Sequence, residues 1–492
     1  MSKNLFVGVD GKARKAKEFY VGVNGKARKI VKAYIGDENG KARLFWEKEN
    51  TPVDYLEFVS NNSFTMSAPK LWDGTLEYNN GNGNGWTTWD GSEISSNAID
   101  GRQRIYFRGS RNTVIRGQNA TGTNSWKITG SNVECNGNIE YLLDYQKVAA
   151  GQHPEMGSRC YREMFANCSS LTTAPELPAT TLANGCYQSM FRNCSSLTIA
   201  PELPATTLEP SCYYNMFFGC SSLTTAPELP ATTLTSFCYY MMFRNCSSLT
   251  IAPELPVTTL ADYCYHNMFS GCSSLTTAPA LPATTLADYC YYNMFFGCSK
   301  LTTAPELPAT TLAKSCYQSM FRNCSSLTTA PQLPATTLAE NCYQYMFGNC
   351  SSLTTAPELP ATILAVGCYK EMFYSCENLT TAPALPATSL AKSCYSYMFY
   401  GCFRLRKIPA LPAHILPDSC YYGMFKECDI YLYSSGDETK NVIYLLPSEK
   451  YQWTNTQIES NSLTDMFTYD GLIQTPNFPA GYRLDNYYSI IS

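Results

Sequence analysis

CYQSMFRNCSSLTIAPELPATTLEPS, Cys186–Ser211, decides the fold, because its 26-residue pattern recurs from Cys160 to Cys428 without a slip. The consensus is CYxxMFxxCSSLTTAPxLPATTLAxx. Its first cysteine falls at Cys160, Cys186, Cys212, Cys238, Cys264, Cys290, Cys316, Cys342, Cys368, Cys394 and Cys420. A short period kept over this length predicts a solenoid of eleven repeats. One unit has too little apolar surface to form a core, so each must bury its side chains against the same side chains of its neighbours. In the quoted repeat Leu197, Leu203, Leu208, Cys186, Cys194, Met190 and Phe191 are predicted to point inward.

Pro201 and Pro204 lack an N–H, and a column of prolines inside a ladder would leave a row of carbonyls unpaired. The strand is therefore expected to be short, on Ser-Leu-Thr-Thr-Ala, with Pro-x-Leu-Pro extended and leaving the sheet. In Cys-Tyr-x-x-Met-Phe-x-x-Cys, Cys and Met lie four apart and Cys and Phe five apart. That spacing predicts one to two helical turns on the opposite side of the coil.

Before the repeats the chain changes character twice. Residues 1–50 carry three similar units, FVGVDGKARKAKEFY, YVGVNGKARKIVKAY and YIGDENGKARLFW. Asp10-Gly11, Asn24-Gly25 and Asn39-Gly40 read as hairpin tips, since these dipeptides accept the positive φ of type I′ turns. The expectation is a small β-meander or docking arm. Residues 51–150 show strand-like runs at Tyr55–Phe58, Thr75–Tyr78, Trp86–Trp89, Arg104–Arg108 and Trp126–Ile128 between Asn, Gly and Ser clusters, which predicts a small β-sandwich. Trp86 and Trp89 are three apart and so lie on opposite strand faces, one in the core and one available as a glycan-stacking platform. Residues 151–428 are the array, and 429–492 a C-terminal cap in which MFTYDGLIQTPNFPAGY echoes the period.

MFANCSSLTTAPELPATTLANGCY, Met164–Tyr187, resembles the BspA-like, bacterial surface-antigen type of leucine-rich repeat. The resemblance covers about 270 residues of the array. Cys186 stands where that family usually has an aliphatic residue and Met190 where it usually has alanine. WTTWDG, IYFRG and ITGSNVECNGNIEYLLDY resemble a β-domain that often leads into such repeats in gut-bacterial and phage proteins, and the GKARK units are similar to leaders of phage virion and tail-associated proteins. The expected fold is therefore mainly β with short helices: a leucine-rich-repeat solenoid behind a small β-sandwich and an N-terminal β-hairpin arm.

Composition and motifs narrow the function. A net charge of −4 leaves no footprint for nucleic acid. Residues 1–50 hold twelve Lys and Arg against six Asp and Glu, but evenly spread, as on a solvated sheet. No run approaches the roughly 18 apolar residues of a membrane span. Leu5-Phe6-Val7 is interrupted by Gly8, Asp10, Gly11 and Lys12, so no secretory leader is read and folding in the cytoplasm is expected. The 23 cysteines admit three readings: buried thiols, disulfides or metal ligands. Buried thiols are favoured, since a helical Cys186–Cys194 separation exceeds disulfide reach and His153, His266 and His414 do not repeat. Glu176, Glu202, Glu228, Glu254, Glu306 and Glu358 read as a solubilising row. No nucleophile–base pair, phosphate loop or dinucleotide motif stands out, so no enzyme, cofactor or metal is expected.

Variation between repeats concentrates after Cys-Tyr, where Tyr214, Phe218, Tyr240, Tyr292, Phe296, Tyr345, Tyr397, Tyr400 and Tyr422 decorate one side. Tyrosine suits contact with sugars or proteins because it joins apolar area to a polar tip; packing between coils is the competing reading. The leading expectation is a virion-associated phage protein, present in many copies or as a homo-oligomer. Its residues 1–50 would dock on other virion proteins while its solenoid meets a host-cell glycan or protein. The alternatives are a bacterial cell-surface adhesin and a ligand-free spacer or capsid decoration.

Overall fold

The computed structural model describes residues 55–117, 125–405, 409–413, 415–428, 459–462 and 464–466, together with backbone strands within 6–47 and 432–443. Residues Met1–Tyr55 form one compact unit and Leu56–Ser492 another.

In the first unit three two-stranded antiparallel sheets follow one another: β1 (Phe6–Val9) with β2 (Lys12–Lys15), β3 (Phe19–Val23) with β4 (Lys26–Ile30), and β5 (Lys32–Gly36) with β6 (Ala42–Glu47). Val9 pairs with Lys12 and Val23 with Lys26, while the expected hairpin tips Asp10-Gly11, Asn24-Gly25 and Asn39-Gly40 lie outside the described residues. The hairpins are separate sheets among the described residues. The turn dipeptides fix each hairpin locally, but the sequence holds no signal for pairing between hairpins.

The second unit begins with strands β7 (Leu56–Ser60), β8 (Thr65–Ser67), β9 (Thr75–Asn79), β10 (Thr87–Thr88), β11 (Ile94–Ser95), β12 (Asn97–Ile99), β13 (Arg102–Ser110), β14 (Lys127–Thr129) and β15 (Val133–Asn136). Helix α1 (Tyr141–Ala149) follows. A main sheet runs β10-β9-β13-β7-β15-β16, with β12 also on β13, and β11-β8-β14 make a second sheet; β16 (Leu171–Thr173) is already part of the repeats. Every strand-like run read from the sequence overlaps one of these strands. Period-two burial along β13, with Ile105, Phe107 and Gly109 inward, is what a strand with one covered face requires. Trp89 is 1% exposed and packs against Trp72, Phe107 and Trp126. Trp86 is half-buried, with the Arg108 guanidinium 4.3 Å above its ring.

This module closes the first end of the array. Tyr161 N–H donates to the Ile115 carbonyl at 2.7 Å, Trp126 N–H to Met164 at 3.0 Å, and β15 pairs in parallel with β16. Phe58 and Trp126 meet Phe165 edge-on at 5.9 and 6.0 Å, so the core runs from the module into the coils without a break.

Within the repeats the expected helix is absent; the described residues contain a single helix, α1, ahead of the array. Cys-Tyr-x-x-Met-Phe-x-x-Cys is a chain of overlapping tight turns. Gln188, Met190, Arg192 and Cys194 N–H donate locally to Gly185, Tyr187, Ser189 and Phe191. The residues between them donate across to the next coil: Ser189 to Tyr214, Phe191 to Met216, Asn193 to Phe218. Left-handed residues recur every fourth position, at Gly185 (φ 66), Ser189 (φ 54) and Asn193 (φ 59). A residue of that conformation ends an α-helix, and here its own N–H points outward: Gly185, Ser189 and Asn193 donate to Pro210, Tyr214 and Phe218 of the neighbouring coil.

The expected strand is shorter still. After β16 the Thr-Thr segment makes isolated parallel bridges, such as Thr225 with Ile251 and Thr329 with Thr355, and the second Thr pair makes another column of them, as at Thr259 with Thr285. The prolines between the two columns have no N–H to extend either one. Four residue columns per coil therefore carry methyl and hydroxyl groups to solvent, and Ile199, Ile251 and Ile363 in them are exposed.

The predicted core residues are buried: Cys186, Met190, Phe191, Cys194 and Leu197 at 0%, Leu203 at 3% and Leu208 at 4%. Tyr187 and its equivalents join them, stacked face to face at 5.6–5.9 Å from Tyr161 to Tyr421 beside a second stack of phenylalanines from Phe165 to Phe425. All 23 cysteines are free and buried. The second-column thiol has a polar task as well: Cys194 Sγ donates to the Phe165 carbonyl at 3.0 Å, and the contact repeats up to Cys428 with Phe399.

One column of the ladder changes direction. Tyr187 and Tyr213 N–H donate backward to Cys160 and Cys186, with φ positive at both tyrosines, whereas from Tyr239 onward the donation is forward, to Cys264 and its successors. Between the coils of Cys212 and Cys238 this column therefore contributes no bond, while Asn215, Phe217 and Gly219 still donate across. At the far end Tyr421, Gly423 and Phe425 N–H donate to Ser462, Thr464 and Met466, and Asn461 and Asp465 take positive φ. The segment Glu459–Met466 thus reproduces the turns of a coil, with Ser462 in the place of the cysteine.

Candidate recognition surface

The candidate site is the side of the coils where residues just before and after Cys-Tyr emerge. Because the core columns are fixed by stacking, whatever stands two residues after the first cysteine meets its equivalents in the adjacent coils. Tyr214, Tyr240, His266 and Tyr292 form such a row, with ring centroids 4.6, 4.6 and 4.5 Å apart and planes within 16° of parallel. Phe237, Tyr263 and Tyr289, one residue before the cysteine, form a second row at 4.7 and 4.8 Å. The rows touch through tilted contacts at 5.6–6.0 Å. This is a two-row aromatic ridge spanning four consecutive coils.

Stacking covers the faces of interior rings, so they present edges and hydroxyls. His266 is enclosed most: it is 9% exposed, Asn267 Nδ2 lies 2.7 Å from its Nδ1, and burial, aided by the Arg244 charge, holds its imidazole down to about 4. Asp262 and Asp288 border the ridge, exposed, and each accepts a backbone N–H from the next coil, at Asp288 and Lys314.

Phe218 and Phe296 stand apart from the ridge, six residues after their cysteines, where Arg244 and Arg322 of the following coils lie 5.7 and 5.8 Å over their rings. Tyr345, Tyr397, Tyr400 and Tyr422 belong to a second cluster together with Tyr374. Tyr345 meets Tyr374 at 5.8 Å, Tyr374 stacks on Tyr400 at 4.7 Å, and Tyr397 meets Tyr400 and Tyr422 edge-on at 5.8 and 5.1 Å. All nine residues singled out in the sequence are half-buried. Seven of them fall into two patches, three in the ridge and four in the second cluster, and Phe218 and Phe296 belong to neither. Sequence reasoning passed over Phe237, Tyr263, Tyr289, His266 and Tyr374; the signal for the first three is that aromatics recur one residue ahead of three successive cysteines.

Burial pushes the thiols upward, to about 12 at Cys168, Cys220 and Cys342, and no cluster of three or more metal-ligating side chains occurs among the described residues. Glu176, Glu202 and the rest of that column are exposed, each on its own coil. No helix among the described residues is long and apolar enough to cross a membrane.

Short parallel bridges, a leucine column and coils joined by 26-residue steps define a leucine-rich-repeat solenoid. Residues 152–276 and 284–431, more than half of the chain, match the BspA type leucine rich repeat region (6 copies), and the chain belongs to that family. Among solved structures it is similar to a leucine-rich repeat protein from Bacteroides ovatus ATCC 8483, at 19% identity over 60% of this chain and 86% of that one, with a TM-score of 0.27. No curated protein matches it.

Proposed function

We propose that the chain is a non-enzymatic surface-display protein whose solenoid makes adhesive contacts with a glycan or protein. In that reading eleven coils stack behind a β-sandwich-like module, and the ridge of Tyr214, Tyr240, His266 and Tyr292 with Phe237, Tyr263 and Tyr289 is the contact face. The observation that carries it is the confinement of aromatic rings to neighbouring coils at positions that core stacking leaves free. Ring edges and phenol hydroxyls beside Asp262 and Asp288 suit partners rich in carbonyl and hydroxyl groups. The family supports an adhesin or protein-interaction role. Carriage on a phage virion, with residues 1–50 as the docking arm, is the finer reading; it rests on the likeness of the GKARK units to virion leaders, and the comparisons add nothing to it.

Binding of the full chain to a glycan array and to whole cells tests the contact. Loss of the bound signal in Tyr240→Ala/Tyr292→Ala, with the thermal melt retained, is the expected result. No binding in any format, or full binding by that variant, removes the recognition role from the ridge. Labelled antibody on particles and on cells decides the carrier.

A further inference from the structure

Three residues after the first cysteine, two coils carry a glutamate. Glu163 and Glu371 are 7% and 8% exposed, yet their surroundings differ. Glu163 Oε1 lies 3.5 Å from Arg162 Nε, and Arg192 of the next coil adds a second favourable charge. Around Glu371 the corresponding positions are Lys370 and Tyr400, so one guanidinium group of the first site is replaced by an ammonium and the other by a phenol ring. Glu371 Oε2 is buried with no hydrogen-bond partner. Burial pushes its carboxyl above the ordinary range, against the pull of Lys370 and Arg322. A buried carboxylate oxygen without a donor is costly, and native interiors rarely leave one so.

Rings surround it. Tyr345 and Tyr397 occupy the same column one coil to either side; burial and then the Glu371 charge push the Tyr345 phenol upward, and burial and Tyr422, with smaller contributions from Asp465 and Glu371, push up that of Tyr397. Tyr345 lies under Arg322 of the preceding coil at 4.3 Å, and Tyr397 lies over Gly423 of the following coil, where a Cβ would come within 2.5 Å of the ring. Tyr374, in the coil of Glu371, meets Tyr345 at 5.8 Å.

We propose that Glu371, Tyr345, Tyr374 and Tyr397 form a receptor for the guanidinium group of an arginine side chain on a partner protein. The planar cation would offer paired N–H donors to the carboxylate and lay its face on phenol rings, as Arg322 already does on Tyr345. The guest would add a hydrogen-bonding cation to the favourable charges of Lys370 and Arg322 that already act on this carboxylate. The proposal rests on the solenoid being a recognition surface, but it concerns the second patch and a defined chemistry, so it succeeds or fails apart from the ridge.

The test titrates the full chain with acetyl-Gly-Arg-Gly-amide and with its citrulline and lysine counterparts, following tyrosine ring signals by NMR. The arginine peptide is expected to bind weakly, with Kd on the order of millimolar, and to shift the signals of Tyr345, Tyr374 and Tyr397. The neutral citrulline peptide is expected to bind at least about tenfold more weakly, and Glu371→Gln to weaken arginine binding by a similar factor. Citrulline or lysine binding as tightly as arginine overturns the assignment. So does undiminished arginine binding by Glu371→Gln. Should that variant not fold, Tyr374→Leu removes one ring face from a half-buried position, and unchanged binding by it overturns the proposal equally.

Discussion

Alkaline pH should unfold this protein far more steeply than an ordinary domain, because its core is lined with thiols. All 23 cysteines are buried, and desolvation raises their pKa from the usual 9.0 to about 12 at Cys220, Cys290, Cys376 and Cys394. The protonated thiol is the neutral form, so the native state holds these protons while the unfolded chain releases them. The stabilisation is complete below the unfolded pKa and is lost as pH rises from there toward the folded value. Each group contributes about 1.4 kcal/mol per pH unit in that window, and some twenty acting together give on the order of 30 kcal/mol per unit. Even a stability of roughly 20 kcal/mol would vanish within about one pH unit above 9. Far-UV circular dichroism and thiolate absorbance, recorded on the same samples across a pH series, should change together between about pH 9 and 10. A native spectrum surviving to about pH 11.5 would refute the reasoning, as would thiolates appearing while the fold persists.

Removing residues 429–492 uncovers the last coil's Tyr421, Gly423 and Phe425 N–H groups together with one apolar face, and light scattering should then show aggregation; a monodisperse truncated protein would contradict the capping role. His266 should titrate near 4 in the intact protein and move up toward the ordinary range in Tyr240→Ala/Tyr292→Ala, by NMR. Because its folded pKa is depressed, the stability it supplies is present above about pH 6.5 and declines as pH falls toward 4; no movement in the variant would mean that the rings do not enclose it. Gly423→Ala places a Cβ at φ 57 and against the Tyr397 ring, and should cost about 1–2 kcal/mol or more, read as a lowered Tm; an unchanged melt would show that the contact relaxes freely.

The core was legible because a stack admits little choice: residues that recur every 26 positions and are apolar have nowhere else to go, and Cys186, Met190, Phe191 and Leu197 are where their periodicity puts them. The local backbone was not. A four-residue spacing of Cys and Met fits one face of a helix, but it equally fits overlapping turns that repeat every four residues. The distinguishing signal stood in the polar positions. Asn193, Asn215, Asn245, Asn267, Asn293, Asn323 and Asn349, with Gly219, Gly271 and Gly297, occupy columns four apart, and such residues tolerate a left-handed backbone that a helix interior excludes. Tyr187 and its equivalents were overlooked as core because tyrosine reads as a surface residue; stacked on both faces, its ring is 1% exposed.

For the recognition surface, the sequence showed which positions vary but not which of them meet. Tyr240 and Tyr292 are 52 residues apart, yet His266 bridges them at 4.6 and 4.5 Å, a contact set by the coil step alone. Glu371 was invisible for a related reason. An acidic residue among variable positions looks solvated until the coils on either side are placed.

The reversal of hydrogen-bond direction near Cys212 and Cys238 divides the array into a short block locked to the N-terminal module and a longer one locked to the cap. Pulled along its axis, such a stack resembles a zip with one missing tooth. Tension reaching that column between these two coils has no rung to cross, and it passes to the bonds that Asn215, Phe217, Gly219, Ala226, Ser248 and Thr250 N–H still make there.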